Sequence, residues 1–442
     1  MSFSPDDVLS RLRALQDNAT GPARYVLAFS GGLDSTVLLH ALAATQTQHA
    51  VSLLAVHVDH QLHAESGAWA SHCASVAATY GVPFEARQVE VAAGAGPEAA
   101  ARDARYLALR ACMHPDDWLL CAHHADDQAE TLLLNLLRGS GPAGLAAMQS
   151  IRRFGPGWQV RPLLDTTRAE LETFAQQQGL AWQEDPSNQD PRFDRNFLRR
   201  QVLPLISQRW PTAQERLVRS ASLARDASDL LAELADLDLA RCPAAPGRLR
   251  VQVLRELSAS RRANLLRRAC QLAALPAPPA TRVAELGNSL LGARQDAEPV
   301  VRWRGAELRR YRDEIFLLPE TGPANFDGAS LGVSEPVPLG PGLGRLVLVD
   351  AGGPGIDPTL VSAGLVLRQR QGGEQIKLSG HAHTSKLKKL LQQDGVLPWR
   401  RDELPLVYAG DQLLAVADLW TDARCIVERG YAVKWLDRPA II

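Results

Sequence analysis

No apolar run in the chain approaches the roughly 18–20 residues that a membrane span needs. The opening MSFSPDDVLS has no basic stretch leading into an apolar one, so a secretory leader is not expected. Cysteine is sparse, six residues standing singly with no CxxC pair. This argues against a zinc ribbon and fits a reducing cytoplasm. Neither sign of charge dominates, with 48 Lys+Arg against 49 Asp+Glu and a net charge of −1. A nucleic-acid partner would therefore have to be met by local patches. Missing too is GxxxxGK[ST], the lysine-bearing phosphate loop of many ATPases. What is present is a 442-residue, 46% apolar chain, typical of globular proteins and long enough for two or three domains.

The most informative stretch is Ser30-Gly31-Gly32-Leu33-Asp34-Ser35-Thr36, between apolar Tyr25–Phe29 and Val37–Ala43. It reads as a buried strand, a tight glycine turn and the first turn of a helix. The glycines allow close backbone approach to a ligand, and the helix start offers free N–H groups beside three hydroxyls. Phosphate is the expected guest. Asp34 in such a turn makes sense if a divalent cation separates the negative charges, which argues for Mg²⁺.

Strand and helix signals alternate through the first two hundred residues. A helix to about residue 20, with Val8, Leu9, Leu12 and Leu15 on one side, precedes the first strand. Val51–Val56 leads into His57-Val58-Asp59-His60, a helix covers about Glu65 to Tyr80, and Phe84–Val91 follows. This is the signature of a doubly wound parallel sheet, with ligands beyond the carboxyl ends of its strands. His57, Asp59 and His60 read as polar residues at a nucleotide pocket, with a metal cluster as the alternative. A helix from Pro97 sets Arg102 and Arg105 on one face.

Trp118–Ala122 delivers a second motif, His123-His124-Ala125-Asp126-Asp127-Gln128-Ala129-Glu130-Thr131. A helix starting near Asp126, as N-cap, would put His123, Asp127 and Glu130 at i, i+4 and i+7 on one face. Two carboxylates and an imidazole there can hold a metal, bind an amine or take its proton. The plain alternative is a first turn made acidic by the helix dipole.

SGGLDST resembles the pyrophosphate loop of the N-type ATP pyrophosphatases. AHHADDQAET followed by Arg138-Gly139-Ser140-Gly141-Pro142-Ala143-Gly144-Leu145 is similar to the tRNA(Ile)-lysidine synthetases. The likeness continues through Arg161-Pro162-Leu163-Leu164, Trp182–Asn188 and Arg195-Asn196-Phe197-Leu198-Arg199-Arg200, spanning about residues 22–212. It implies that ATP adenylates the 2-oxo oxygen of a wobble cytidine in tRNA(Ile) with a CAU anticodon, pyrophosphate leaves, and the ε-amine of L-lysine displaces AMP. Ser30 to Thr36, with His57 and Asp59, would then face ATP, and Asp34 and Asp127 would hold Mg²⁺. Asp127 and Glu130, with His123 or His124, would receive lysine and its proton, and the pattern EAAR..RY would set Arg105 near the reacting base. The missing CxxC counts against a tRNA thiolase, and no glutaminase domain is evident. A non-catalytic RNA-binding scaffold is the alternative from another class, and a homodimer is left open.

Beyond Trp210 the pattern turns helical and basic, with Arg248, Arg250, Arg255, Arg261, Arg262, Arg267 and Arg268 against Glu256. These suggest a face for a phosphate backbone, or simply a solvated surface. Residues 320–345, rich in Gly and Pro, read as a linker. The last region resembles the acceptor-stem-binding domain of the same family. Arg195 with Lys386, Lys388, Lys389, Arg400 and Arg401 are the expected tRNA contacts. The expected layout is therefore a catalytic α/β domain (1–212), a mainly helical middle domain (213–325) and a small α+β domain (326–442).

Overall fold

The computed structural model describes residues 3–16, 19, 21–49, 51–61, 66–90, 97–184, 192–242, 247–285, 289–294, 297–320, 322–439 and 441. It divides into two compact units, 1–230 and 231–442.

The first unit is built on a six-stranded sheet. Its strands are β1 (Arg24–Ala28), β2 (Ser52–Asp59), β3 (Phe84–Gln88), β4 (Trp118–Leu120), β5 (Ile151–Phe154) and β6 (Gly157–Val160). Their order is β3-β2-β1-β4-β6-β5, parallel except for the antiparallel edge strand β5. The β5–β6 hairpin goes beyond the alternating pattern expected from sequence. Alternate residues of the central strands bury to opposite faces: Tyr25, Leu27, Trp118 and Leu120 join one apolar cluster, Val26 and Leu119 another. Burial on both faces is why these strands read as unbroken apolar runs.

Strand order reverses between β1 and β4, opening a crevice at their carboxyl ends. Both sequence motifs begin there. The N-terminal helix, Pro5–Gln16, buries Val8, Leu9 and Leu12 as its periodicity predicts. Its Arg11 ties the far side of the crevice by donating to Pro162 O and Thr166 Oγ1.

In the second unit, residues 248–319 combine helices with a four-stranded antiparallel sheet, so this region holds more strand than its sequence suggests. Its core gathers Leu249, Leu254, Leu265, Leu266, Val301, Leu308 and Ile315. The C-terminal region is α+β, with antiparallel sheets and short helices around Leu346, Leu348, Leu367, Leu406, Leu414 and Val416. The linker expectation for 320–345 is corrected. Phe326, Leu331, Leu339 and Leu343 are buried in that C-terminal core, and Val337–Gly340 pairs with Gly344–Asp350. Apolar residues spaced among the glycines anchor the stretch.

Among the described residues no helix is long and apolar enough to cross a membrane.

Candidate active site

Ser30 to Thr36 forms the bend between β1 and the Leu33–Ala44 helix, whose N-cap is Gly32. Its carbonyls are turned away and satisfied: Trp69 Nε1 donates to Ser30 O (2.7 Å) and Gln183 N to Gly31 O (3.0 Å). Gly31 has φ of +76°, and a Cβ there would lie 2.7 Å from Cys73 Sγ. The bend therefore requires glycine for both its dihedral and its packing. Ser30 and Ser35 hydroxyls lie 3.1 Å apart, while Thr36 Oγ1 and Asp34 Oδ1 are buried without a partner. Buried polar atoms are rarely left unpaired, and these two sit where a phosphate and its cation would bind. Leu33 is buried in the core, so only its backbone is available to a ligand.

The ATP-side residues of β2 act more as supports. His57 is buried, bonds through Nδ1 to Phe29 O at 3.0 Å, and so pins the end of β1. Burial pushes its pKa below the usual histidine value. Buried Asp59 accepts from Gln61 N at 2.8 Å and fixes the turn after the strand.

Across the crevice, the Ala125–Leu137 helix is capped by His124 rather than Asp126. Asp127 Oδ2 accepts from His124 N (3.1 Å), while Asp126 Oδ2 accepts from Arg168 N (2.9 Å). His123 precedes the helix in non-helical backbone, so helical spacing does not apply to it. It is His124 that joins the two motifs: its Nε2 lies 3.6 Å from Asp34 Oδ2 and 3.5 Å from Asp127 Oδ2, and its Nδ1 lies 3.4 Å from Asp126 Oδ2. Burial alone would lower its pKa, but Asp127, Asp126 and Asp34 outweigh burial and raise it. The imidazole thus sits between the two carboxylates expected to hold a metal, at a position that favours positive charge. Burial raises the Asp34 pKa against the pull of His124 and Arg168, whose Nη1 is 3.5 Å away.

Glu130, 0% exposed, is held by Arg199 through Nε–Oε1 at 2.5 Å and Nη2–Oε2 at 3.1 Å. The same Nη2 reaches Asp127 Oδ1 at 2.9 Å. Arg195, expected at the tRNA backbone, instead donates to Thr131 Oγ1 (2.9 Å) with its Nε 3.9 Å from Glu130. Arg195 and Arg199 are four residues apart, a spacing that could have disclosed a shared face. Arg195 lies on the Asp194–Phe197 helix, and Arg199 on the π-turn that continues it, Leu198–Val202. Pro204, just beyond, has no N–H to donate back to residue 200. A cavity of about 170 Å³ opens here, lined by Asp126, Glu130, Arg168, Arg199, Leu203, Pro204, Ser207 and Gln214.

Arg105 and Arg102 both rest over the Tyr106 ring, at 5.6 and 5.1 Å. Among the described residues, no group of three or more His, Cys, Asp and Glu side chains forms a metal site. Mg²⁺ needs no such cage, since one or two carboxylates and phosphate oxygens suffice. Asp34, with its orphaned Oδ1, and Asp127 fit that donor set.

The expected tRNA contacts divide. Lys386, Lys388 and Lys389 are exposed around the Leu387–Gln393 helix, whose leucines face the core. Arg400 is 3% exposed and paired with Glu403 at 2.6 Å, which withdraws it as a phosphate contact. Arg401 donates to Val396 O at 2.9 Å. The basic face expected over 248–268 is largely engaged. Arg261 pairs with Asp238 and Arg268 with Asp236, while Arg255 and Arg262 donate to backbone carbonyls. Motif residues 185–188 lie outside the described set.

Three family models match: a PP-loop domain over residues 6–206, a TilS substrate binding domain over 249–316 and a TilS substrate C-terminal domain over 365–435. The tRNA(Ile)-lysidine synthase of Alkalilimnicola ehrlichii is 44% identical over 97% of this chain and 96% of its own. Those of Xanthomonas campestris (46%, covering 92% and 93%) and Pseudomonas aeruginosa (44%, covering 89% and 89%) are similarly close. With likeness of that degree running along nearly its whole length, the chain belongs to the tRNA(Ile)-lysidine synthase family.

Proposed function

We propose that the protein joins L-lysine to the wobble cytidine of tRNA(Ile) in the cytoplasm, through an adenylated base. The glycine bend holds the ATP phosphates by preorganised N–H and hydroxyl donors. The 2-oxo oxygen of cytosine attacks the α-phosphorus, and pyrophosphate departs. The ε-amine of lysine then attacks C2, a proton is taken up nearby, and the C2–O bond breaks to release AMP. Mg²⁺ held by Asp34 and Asp127 would offset charge on the phosphates and pyrophosphate. Asp127 and Glu130 would receive the cationic amine beside the cavity, where arginine already occupies a cation's position. Arg105 would offset negative charge near the base.

The observation that supports this best is the convergence of Asp34, His124 and Asp127 from two sequence motifs across one sheet crevice. A direct trial supplies ATP, Mg²⁺ and a CAU-anticodon tRNA(Ile) transcript, with lysine withheld or added. Pyrophosphate should form without lysine and AMP only after lysine is added. Simultaneous, strictly lysine-dependent release of both would count against an adenylated tRNA intermediate.

A further inference from the structure

Two adjacent histidines stand at the mouth of the crevice, and their surroundings are opposite in charge. His124 faces three carboxylates. His123 faces a guanidinium: Arg161 Nε donates to its Nδ1 at 3.1 Å. Arg161 is 4% exposed and fully oriented, its Nη1 donating to Gln149 O (2.7 Å) and its Nη2 to Gln159 Oε1 (2.7 Å). Gln159 cannot turn its amide without loss. Its Nε2 donates to Tyr106 Oη and Cys121 Sγ, both at 3.1 Å, and its Oε1 also accepts from Arg152 Nε at 2.7 Å.

A guanidinium has five N–H donors, no acceptor, and stays charged at any working pH. Nδ1 of His123 must therefore carry the lone pair. The opposite tautomer, or an imidazolium, would set N–H against N–H. The ring proton is thereby placed on Nε2, which has no partner among the described residues.

We propose that His123 is a neutral hydrogen-bond donor, through Nε2–H, to a phosphate or carbonyl oxygen of the bound substrate, and that Arg161 is the positioning residue that fixes this tautomer. The inference rests on the crevice being the active site, as proposed above. It removes His123 from the groups able to take the proton of lysine and leaves that task to the carboxylates. The charges acting on the ring come from Asp127 on the acidic helix, Arg161 after β6, Arg195 on the Asp194–Phe197 helix and Arg102 on the Pro97–Ala111 helix. Burial first, and then the arginines, hold its pKa well below the ordinary value, in keeping with a ring that stays neutral.

The test is ring-nitrogen NMR on the full-length protein labelled with ¹⁵N-histidine, with His123 assigned by the signals that vanish in His123→Gln. From about pH 6 to about pH 8.5, where a free histidine titrates, Nδ1 should remain pyridine-like and Nε2 pyrrole-like. In Arg161→Met the two should move toward a mixture of tautomers. A wild-type ring that titrates in this range, or carries its proton on Nδ1, overturns the proposal. In kinetics, Gln at position 123 can still donate and should retain at least about tenfold more pyrophosphate release than Leu. Equal loss in both would remove the donor role. Should wild-type protein show no tRNA-dependent pyrophosphate release, the functional reading fails while the tautomer is judged by NMR alone.

Discussion

Arg199 grips Glu130 with two of its nitrogens, at 2.5 and 3.1 Å, and the carboxylate it holds is wholly buried. Burial raises the Glu130 pKa, and Arg199 is the main force opposing that. Removing the arginine alone strands a buried charge, which costs about 3 kcal/mol. Arg199→Met should therefore lose about that much unfolding free energy in urea, whereas the Arg199→Met/Glu130→Gln double variant should recover most of it. Additive losses would show that the pair is not coupled.

Asp34 presents the reverse case, a group whose environment serves a ligand more than the fold. Its Oδ1 is buried without a partner, and burial and Asp127 both raise its pKa. Asp34→Asn keeps the shape and removes a carboxylate from an acidic cluster. Thermal stability should stay equal or rise, while pyrophosphate release with tRNA falls at least about a hundredfold. Near-wild-type release would remove Asp34 from the chemistry.

These two residues differ in how far sequence alone can place them. Asp34 follows a buried strand and glycine turn, so local pattern suffices. The grip of Arg199 joins segments 69 residues apart, and only its four-residue spacing from Arg195 hints at a shared face. His123 precedes the helix whichever residue caps it, so counting i, i+4 and i+7 from it extends helical spacing into backbone that is not helical. The cap is His124, and His123 lies one residue before it. The arginines of 261–268 resemble a phosphate-binding face in sequence because their partners, Asp236 and Asp238, belong to an earlier helix. Composition likewise hides the buried Phe326 and Leu339 inside a stretch rich in glycine and proline.

Asp422 in the C-terminal region carries a pH dependence of definite sign. It is 0% exposed and accepts from Arg424 N, Nε and Nη2 and from Lys377 N, at 2.7–3.2 Å. Burial alone would raise its pKa, but these donors together lower it below the ordinary carboxylate value. A depressed folded-state pKa stabilises above the unfolded value, about 3.9, and that contribution is lost as pH falls through the folded one. Asp422→Asn should cost about 2 kcal/mol at pH 7 in urea unfolding. The deficit should shrink as the pH is lowered below about 4. A deficit constant with pH would mean that the hydrogen bonds, and not the charge, carry the effect.

The C-terminal lysines supply the last prediction. Lys386, Lys388 and Lys389 project from an element whose Leu387, Leu390 and Leu391 are buried, so charge can be removed there without touching the core. Removing one side chain that neutralises a phosphate lowers the salt slope of binding by about 0.7–0.9. The triple Lys→Gln variant should unfold like wild type, bind tRNA(Ile) more weakly at low salt, and show a slope shallower by about 2. Shortening the chain after Glu320 removes the whole C-terminal core cluster and should weaken tRNA binding further while sparing ATP binding. The cut also bares Phe316 and Tyr311, whose rings pack on Trp399 at 5.3 and 6.4 Å. Solubility must therefore be checked by light scattering before affinity is compared. A triple variant with unchanged affinity and slope would move the tRNA interface off this lysine cluster, and a shortened chain with full affinity would move it off the C-terminal region altogether.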